Sequence, residues 1–479
     1  MEKYGLKNYK LIKNYNFNLN KINIAVGENS SGKSSFLRSL QLLKQSIPFN
    51  LTKLHTNLNN GLDYGEYFNL VTEGNAEANI IFEINFNDVL NNTYGDMILK
   101  GTKLEYNNNL LKTIHIILNI GSLTIKFSDE NKIQEIKLNK FDLLDKINEK
   151  IITRTTVENC FPKLIFENDI KDSIAILIEA KLSKVIPFNF ASSFKEGFID
   201  FLIEKNFYLN EDLIFISKKN TNKIEKFLEN INNIKELKQN ELKIMIGTIL
   251  EEAEKKIRME FENIIYIGPI RAIGERYYRI TEEERDKKYT VINNDVSRKL
   301  YNLSLNKGLD EFNNFIKENF DFGVNVVTLK NKNNEDIFFS IEINRMGDKK
   351  NLLDVGAGYS QLIPILYTCF GKEKFKATIV IEQPELHLHP KMQSDLIDFI
   401  LKLSKKNSEL KFIIETHSSL MIDRIGKNIF KKNYNPNNVN IFIFEKQDEL
   451  KIQETKYSNE GILKKWPIRF FSGKEIKEW

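Results

Sequence analysis

The run Gly27-Glu28-Asn29-Ser30-Ser31-Gly32-Lys33-Ser34-Ser35 constrains this chain more than any other stretch of it. It has the form G-x-x-x-x-G-K-S. Ile22 to Val26, just before it, are mostly apolar and β-branched, which predicts a strand. Phe36-Leu37-Arg38-Ser39-Leu40-Gln41-Leu42-Leu43, just after it, predicts a helix that starts near Lys33. A glycine-rich loop between a strand and a helix is the context in which this spacing cradles phosphate.

The chemistry follows from the residue types. Gly27 and Gly32 let the backbone curl, so that successive N–H groups turn inward on phosphate oxygens. The positive end of the following helix adds to the same spot. The candidate phosphate contacts are Gly27, Asn29, Ser31, Gly32, Lys33, Ser34 and Ser35. Lys33 brings a full charge to the β- and γ-phosphates, and the Ser34 hydroxyl is placed to ligate Mg²⁺.

With 479 residues the chain has room for more than one large core. A formal charge of +5 from 70 basic and 65 acidic residues permits a local basic patch but does not announce a nucleic-acid binder. The lysine pairs, such as Lys218-Lys219 and Lys431-Lys432, are scattered and read as solvated surface. Cys160 and Cys369 lie far apart, which fits a reducing cytoplasm rather than a disulfide framework. No secretory leader and no apolar run of the roughly 18 residues that a membrane helix needs is present, so a cytoplasmic protein without membrane contact is expected.

The hydrophobic period changes along the chain. Ile80, Phe82, Ile84 and Phe86, and again Leu123, Ile125 and Phe127, alternate with polar neighbours as half-buried strands do. Residues 1–140 therefore read as one helix after the loop plus an antiparallel β lobe. From Phe141 a helical period is expected, through Ile174–Leu182 and Phe194–Ile203. It is clearest from Glu241 to Glu262, where Ile246, Ile249, Leu250, Ala253, Ile257 and Phe261 keep helical spacing. Residues 141–262 are thus read as a helical insertion, and 263–479 as a second α/β part. There strand character returns at Ile264–Ile267, and Thr378–Ile381 and Phe412–Ile414 are short apolar runs suited to strands buried on both faces. The overall expectation is an α/β fold in which the first loop strand and these late strands share one sheet.

Three further elements carry chemistry. Ile379-Val380-Ile381 ends in Glu382, a carboxylate at the edge of the sheet that can hold Mg²⁺ directly or through water; Gln383-Pro384-Glu385-Leu386-His387-Leu388-His389-Pro390 follows. A second apolar strand ends in Glu415-Thr416-His417-Ser418-Ser419, where His417 could reach the γ-phosphate or an attacking water. Between them and the first loop lies Asp354-Val355-Gly356-Ala357-Gly358-Tyr359-Ser360-Gln361, a glycine-rich turn opening a helix. The His387-x-His389 pair could be read as metal ligands, but with 5 histidines in the chain and no cysteine nearby it reads better as part of the loop after Glu382. Arg271, after Gly268-Pro269, is an anion contact or a structural arginine. Tyr9 and Tyr15 are the aromatic candidates for an adenine contact, and Trp466, Phe470 and Phe471 for a packed C-terminal anchor.

In this order the elements resemble ABC-type ATPases, and more narrowly the ATPases grouped with RecF, SMC and OLD proteins. The runs 382–390, Val355–Gln361, Tyr266–Arg271 and Glu460-Gly461…Trp466-Pro467…Phe470-Phe471 are similar to those of a bacterial AAA-type subgroup with a C-terminal domain of unknown function, and to the PtuA ATPases of Septu anti-phage systems. The resemblance implies a P-loop ABC-type ATPase head with ATP and Mg²⁺ as cofactors. It also implies a homodimer or higher homo-oligomer, in which Gly356, Gly358, Ser360 and Gln361 of one subunit cap the nucleotide of another. It leaves 130–260 without a counterpart.

Two departures stand out. Gly356 occupies the place where the ABC signature has a serine facing the γ-phosphate, unless Ser360 substitutes. The position after the strand-end acid normally holds the catalytic glutamate; here it is Gln383, which can orient water but cannot accept its proton. Either Glu385 or His417 assists, or hydrolysis is slow. OLD-type relatives carry a nuclease domain after the ATPase, whereas residues 418–479 read as two strands, around Val439–Phe444 and Lys451–Lys456, plus a tail. A partner nuclease, HNH-type or other, encoded nearby is therefore expected. DNA binding of the RecF kind and a scaffold role with negligible turnover are the alternatives.

Overall fold

Alternation of apolar and polar side chains builds an antiparallel sheet from the N-terminal strands. In the computed structural model these are β1 (Lys3–Tyr9), β2 (Ile12–Asn18), β4 (Ile80–Val89), β5 (Ile98–Asn107), β6 (Leu110–Leu118), β7 (Gly121–Phe127), β8 (Ile133–Leu138) and β9 (Phe141–Asp142). They pair in the order β2-β1-β4-β5-β6-β7-β8-β9. Ile80, Phe82 and Ile84, Ile114 and Ile116, and Leu123 and Ile125 fill the buried face. Tyr9 is buried there against Phe82, with ring centroids 5.9 Å apart, and Tyr15 packs edge-on to Phe17. The structure describes residues 1–49, 51–57, 62–75, 77–89, 98–119, 121–130, 132–139, 141–143, 151–154, 161, 163–166, 239–269, 271, 275–280, 296–372, 375–446 and 448–465.

The chain divides into two compact units: Met1–Phe17 with Leu42–Phe261, and Asn18–Gln41 with Glu262–Trp479. In the first unit the helix α2 (Gln239–Glu262) buries Ile246, Ile249, Leu250, Ala253, Ile257 and Phe261, the residues whose spacing predicts it. The helical period expected from Phe141 does not hold at its start. Phe141–Asp142 pairs with β8, and β10 (Ile151–Arg154) pairs antiparallel with β11 (Lys163–Phe166). Runs such as Ile151-Ile152-Thr153 are β-branched and favour the pleated surface over a helical turn. The helical segments expected at 174–182 and 194–203 lie outside the described residues, as do Trp466, Phe470 and Phe471.

The second unit is built around a sheet whose four middle strands are apolar and buried over most of their length. β12 (Ile264–Ile267), β17 (Ala377–Glu382), β18 (Leu410–Glu415), β3 (Ile22–Gly27), β19 (Val439–Lys446) and β20 (Leu450–Thr455) form a six-stranded sheet in that order. All pairings are parallel except the antiparallel β19–β20 hairpin. The two late strands expected around Val439–Phe444 and Lys451–Lys456 are β19 and β20, and they complete the sheet on the far side of β3. A small antiparallel sheet of β13 (Tyr278–Arg279), β14 (Gly323–Lys330), β15 (Asp336–Arg345) and β16 (Asp348–Asn351) belongs to the same unit. Its helices are α3 (Val296–Ser304), α4 (Gly308–Lys317), α5 (Ala357–Cys369), α6 (Pro390–Lys406) and α7 (Ser419–Phe430), with α1 (Lys33–Ser46) as far as Gln41. Ile22, Ile24, Ile379, Ile381, Phe412, Ile414, Leu396 and Phe399 lie in one continuous core. The fold is α/β, with a mixed sheet around the P-loop strand. Among the described residues no helix is long and apolar enough to cross a membrane.

Parallel order brings the C-terminal ends of β17, β18 and β3 to one edge, where open α/β sheets bind their ligands. Glu382 stands opposite Glu415, and Glu415 opposite Ala25. On the other side Gly27 stands opposite Phe444. A Cβ on Gly27 would fall 2.2 Å from the Phe444 carbonyl oxygen, so only glycine lets the loop start this close to β19. Gly27→Ala is expected to lower stability by about 1–3 kcal/mol in thermal or urea unfolding, the usual range for overpacking. Gly247→Ala, whose Cβ meets open space in α2, should be neutral or slightly stabilising.

Candidate nucleotide site

The loop after β3 closes on itself before α1 begins. Ser31 N–H donates to Glu28 O at 3.3 Å and Phe36 N–H to Gly32 O at 3.1 Å, with Ser30 and Gly32 at positive φ. Asn29 is exposed on the outside of the turn, whereas Ser31, Gly32 and Lys33 are buried and Ser34 and Ser35 half-buried. Lys33 Nζ donates to the carbonyls of Gly27 at 3.0 Å and Glu28 at 2.6 Å. Burial holds its pKa below the usual lysine value, opposed by the charges of Glu415, Glu385 and Glu28. The ammonium is therefore held at the loop by two neutral acceptors, which it can exchange for phosphate oxygens.

The two strand-end carboxylates have different partners. Glu382 is 1 % exposed and accepts a forked pair of bonds from Arg38 of α1, Nε to Oε1 and Nη2 to Oε2, each at 2.9 Å. The Tyr266 hydroxyl of β12 donates to Oε1 as well. Glu415 is 2 % exposed and accepts from Ser34 Oγ at 2.9 Å. Ser34 and Glu382, named together from sequence as metal-binding, are not joined here; the partner of Ser34 is Glu415. Strand order explains this, because β18 lies between β17 and β3. Glu382, one strand further out, meets α1 one turn later, at Arg38.

Electrostatics separates the pair further. The Glu415 carboxyl is pushed up to about 7, chiefly by burial and next by the neighbouring Glu382, against the pull of Ser34, Lys33 and Arg38. Its hydrogen bond to Glu382 raises the Arg38 pKa, while burial and then Glu382 raise that of the Tyr266 phenol. Arg271, 4 % exposed, donates Nη2 to the backbone oxygen of Glu382 at 2.7 Å. Burial lowers its pKa to about 10, with Glu385 and Glu382 opposing.

The turn after β17 is held in unusual backbone. Gln383 and His387 have φ of 44° and 61°, and Gln383 N–H donates to Glu415 O at 2.9 Å. Both oxygens of Glu385 are engaged, Oε2 by Thr416 Oγ1 at 2.8 Å and Oε1 by His417 N–H at 2.6 Å. Glu385 thus pins the turn after β18, and burial raises its pKa. Burial, and next the charge of Lys33, bring the His417 imidazole down to about 4, so it is neutral at physiological pH and one ring nitrogen can accept. His389 caps α6, its Nδ1 accepting from Lys391 N–H at 3.3 Å. Among the described residues no group of three or more His, Cys, Asp or Glu side chains could hold a metal ion by itself.

The glycine-rich turn leans on the same loop. Gly356, at φ 88°, is the N-cap of α5, and a Cβ on Gly358 would come within 2.9 Å of His387 O. Ser360 Oγ is exposed and donates to Ala357 O at 2.8 Å. Gln361 Nε2 donates to Arg271 O at 3.3 Å, which ties α5 to the Arg271 segment.

A family model described as AAA ATPase domain matches residues 1–422. The chain belongs to the AAA ATPase domain family. Membership of this ATPase family implies nucleotide binding, and the residues fit a magnesium nucleotide. The side-chain oxygens Ser31 Oγ and Glu415 Oε2 are buried without a hydrogen-bond partner at the loop, beside Lys33 and Ser34, as polar atoms awaiting a ligand are. None of the curated proteins compared with this AAA ATPase matches it. Among solved structures it is similar to the Smc head domain of Pyrococcus furiosus with an extended coiled coil, bound to the C-terminal domain of ScpA, at 14% identity and a TM-score of 0.37 over 95% of this chain and 96% of that one. It is also similar to the SMC head domain of Thermotoga maritima, at 11% identity and a TM-score of 0.35 over 95% and 98%. Likenesses of that size carry no weight for function.

Sequence reasoning missed that Glu415, Arg38 and Tyr266 meet at this edge. Glu415 carries the same signature as Glu382, an apolar run ending in a carboxylate. Arg38 lies one helical turn past Ser34, on the same face. Removing the arginine from Glu382 leaves a buried charge short of its main partner. Arg38→Ala is expected to cost about 2–3 kcal/mol, at the lower end for a broken buried pair because the Arg38 side chain is partly solvated. Glu382→Gln in the same background should restore much of that loss, as read by thermal unfolding of the single and double variants.

Proposed function

We propose that this AAA ATPase binds Mg–ATP between two copies of itself, hydrolyses it slowly, and uses the closed dimer to regulate or position a partner effector. The observation that carries the slow step is Gln383, an amide at the position after the strand-end carboxylate. Lys33 and the loop amides bind the β- and γ-phosphates, with the cation at Ser34 on the carboxylate edge of the sheet. Magnesium, when bound, neutralises charge that develops on those oxygens. Gln383 orients water without taking its proton. Glu385 is engaged on both oxygens, so the neutral His417 imidazole is the remaining acceptor for that proton.

Gly356, Gly358, Ser360 and Gln361 of one subunit cap the nucleotide on the other, so ATP favours the closed state by binding it better than the open one. The effector is a nuclease encoded nearby, in an anti-phage defence system. Resemblance of 382–390 and 355–361 to PtuA ATPases supports this part. A second reading, a nucleotide-dependent scaffold with negligible turnover, is favoured by the same Gln383.

Steady-state turnover is expected below about 1 s⁻¹, the lower edge of ordinary enzyme rates. Lys33→Ala should weaken nucleotide binding by about 100-fold or more, the loss of a strong charge-assisted contact. It should also abolish ATP-dependent co-purification with the neighbouring gene product. Assembly that is equal with ATP, without ATP and in Lys33→Ala would defeat ATP control. Unhydrolysed ATP recovered with the purified protein would mark the scaffold, and DNA-stimulated turnover a DNA-binding ATPase.

A further inference from the structure

We propose that Arg271 is the positioning residue for Gln383: it clamps the peptide that joins Glu382 to Gln383 and so aims the amide that orients water. The inference rests on the reading of Gln383 as the water-orienting residue and names what holds it in place.

Gln383 stands in backbone that its sequence does not favour. Its φ of 44° lies in the left-handed region, which residues other than glycine and asparagine seldom enter. It also precedes Pro384, whose ring pushes the residue before it toward extended backbone. Such a conformation persists where the surroundings over-determine it.

The surroundings here are two hydrogen bonds on a single peptide group. The Glu382 carbonyl accepts from Arg271 Nη2 at 2.7 Å, and the Gln383 N–H donates to Glu415 O at 2.9 Å. Both ends of the peptide plane are therefore fixed, and Gln383 leaves it in one direction. The bond from β18 is backbone to backbone; the bond from Arg271 depends on a side chain. Gln361 of α5 donates in turn to Arg271 O and holds the segment that carries the arginine.

Arg271 is not serving as an ion-pair anchor. It is buried, and although burial lowers its pKa the charges of Glu385 and Glu382 favour its protonated form. Yet the oxygens of Glu385 are taken by Thr416 and His417, and those of Glu382 by Arg38 and Tyr266. Among the described residues the one side-chain hydrogen bond of Arg271 goes to the Glu382 carbonyl, while Nε and Nη1 are buried without a partner. A buried guanidinium that leaves two donors unpaired gives up stability for the one contact it keeps.

The test uses full-length protein carrying Arg271→Met or Arg271→Lys, each alone and with Gln383→Gly, which removes the amide and accepts this φ. Affinity for a fluorescent ATP analogue should stay within about threefold of wild type in Arg271→Met, because the P-loop holds the phosphates. Single-turnover hydrolysis should fall by about tenfold or more, the scale of a misplaced reacting group, and Arg271→Lys should recover part of it. In the Gln383→Gly background Arg271→Met should change turnover by less than about twofold, since the side chain it positions is gone. Hydrogen exchange without nucleotide should speed up at 383–388 in Arg271→Met and stay unchanged at 27–36. If Arg271→Met does not fold, Arg271→Lys carries the same comparisons, with smaller changes in the same direction. An equal fall in turnover with and without the Gln383 amide, or unchanged exchange at 383–388, would overturn the assignment and leave the nucleotide reading intact. Faster exchange at 383–388 in the variant, with no turnover in wild type, would remove the reading of Gln383 and the role of Arg271 with it.

Discussion

Parallel pairing of β17 and β18 with β3 is the constraint on which the site depends. It sets three strand ends at one edge of the second unit: Gly27 leading into the loop, Glu415 beside it and Glu382 beyond. Those strands are apolar on both faces, so they stay in register only while helices cover them; Leu396 and Phe399 of α6 are part of that cover. Once the register is fixed, a lysine, a hydroxyl and two carboxylates have little choice of neighbour. Chemistry at this edge is a consequence of core packing behind it.

Two carboxylates opposite each other on adjacent strands repel, and the fold answers with unequal environments. Arg38 and Tyr266 supply donors to the oxygens of Glu382, while Glu415 has a hydroxyl partner and a carboxyl pushed up to about 7. The arginine also ties α1 to β17, so a phosphate drawn to the N-terminal end of α1 acts on a helix already fastened to the acidic edge. Gln361, Arg271 and the Glu382 carbonyl form a second chain of contacts, from the glycine-rich turn to the same strand end.

Much of this was legible in the sequence, because the deciding patterns are local. The loop announces itself within nine positions, the alternation in β4 and β7 within eight, and α2 presents six apolar residues at helical spacing. Strand order is a different kind of information. Nothing near Glu382 says that β18 will lie between it and the P-loop strand, and Arg38 is 344 positions from its partner. Strands β19 and β20 were legible as strands from their sequence, but not the sheet they join, because a short strand shows its sheet only through the register it adopts. At 141–166 the apolar residues fit a helix and a strand equally well over so few positions, and β-branching decided.

Hydrogen exchange of the backbone amides, with and without a non-hydrolysable Mg–ATP analogue, tests the central claim most directly. Protection is predicted at 27–36, 382–389 and 415–418 together, since one ligand touches all three segments. Protection at the P-loop alone, or at none of these segments while nucleotide is bound, would contradict an edge built from the three strands.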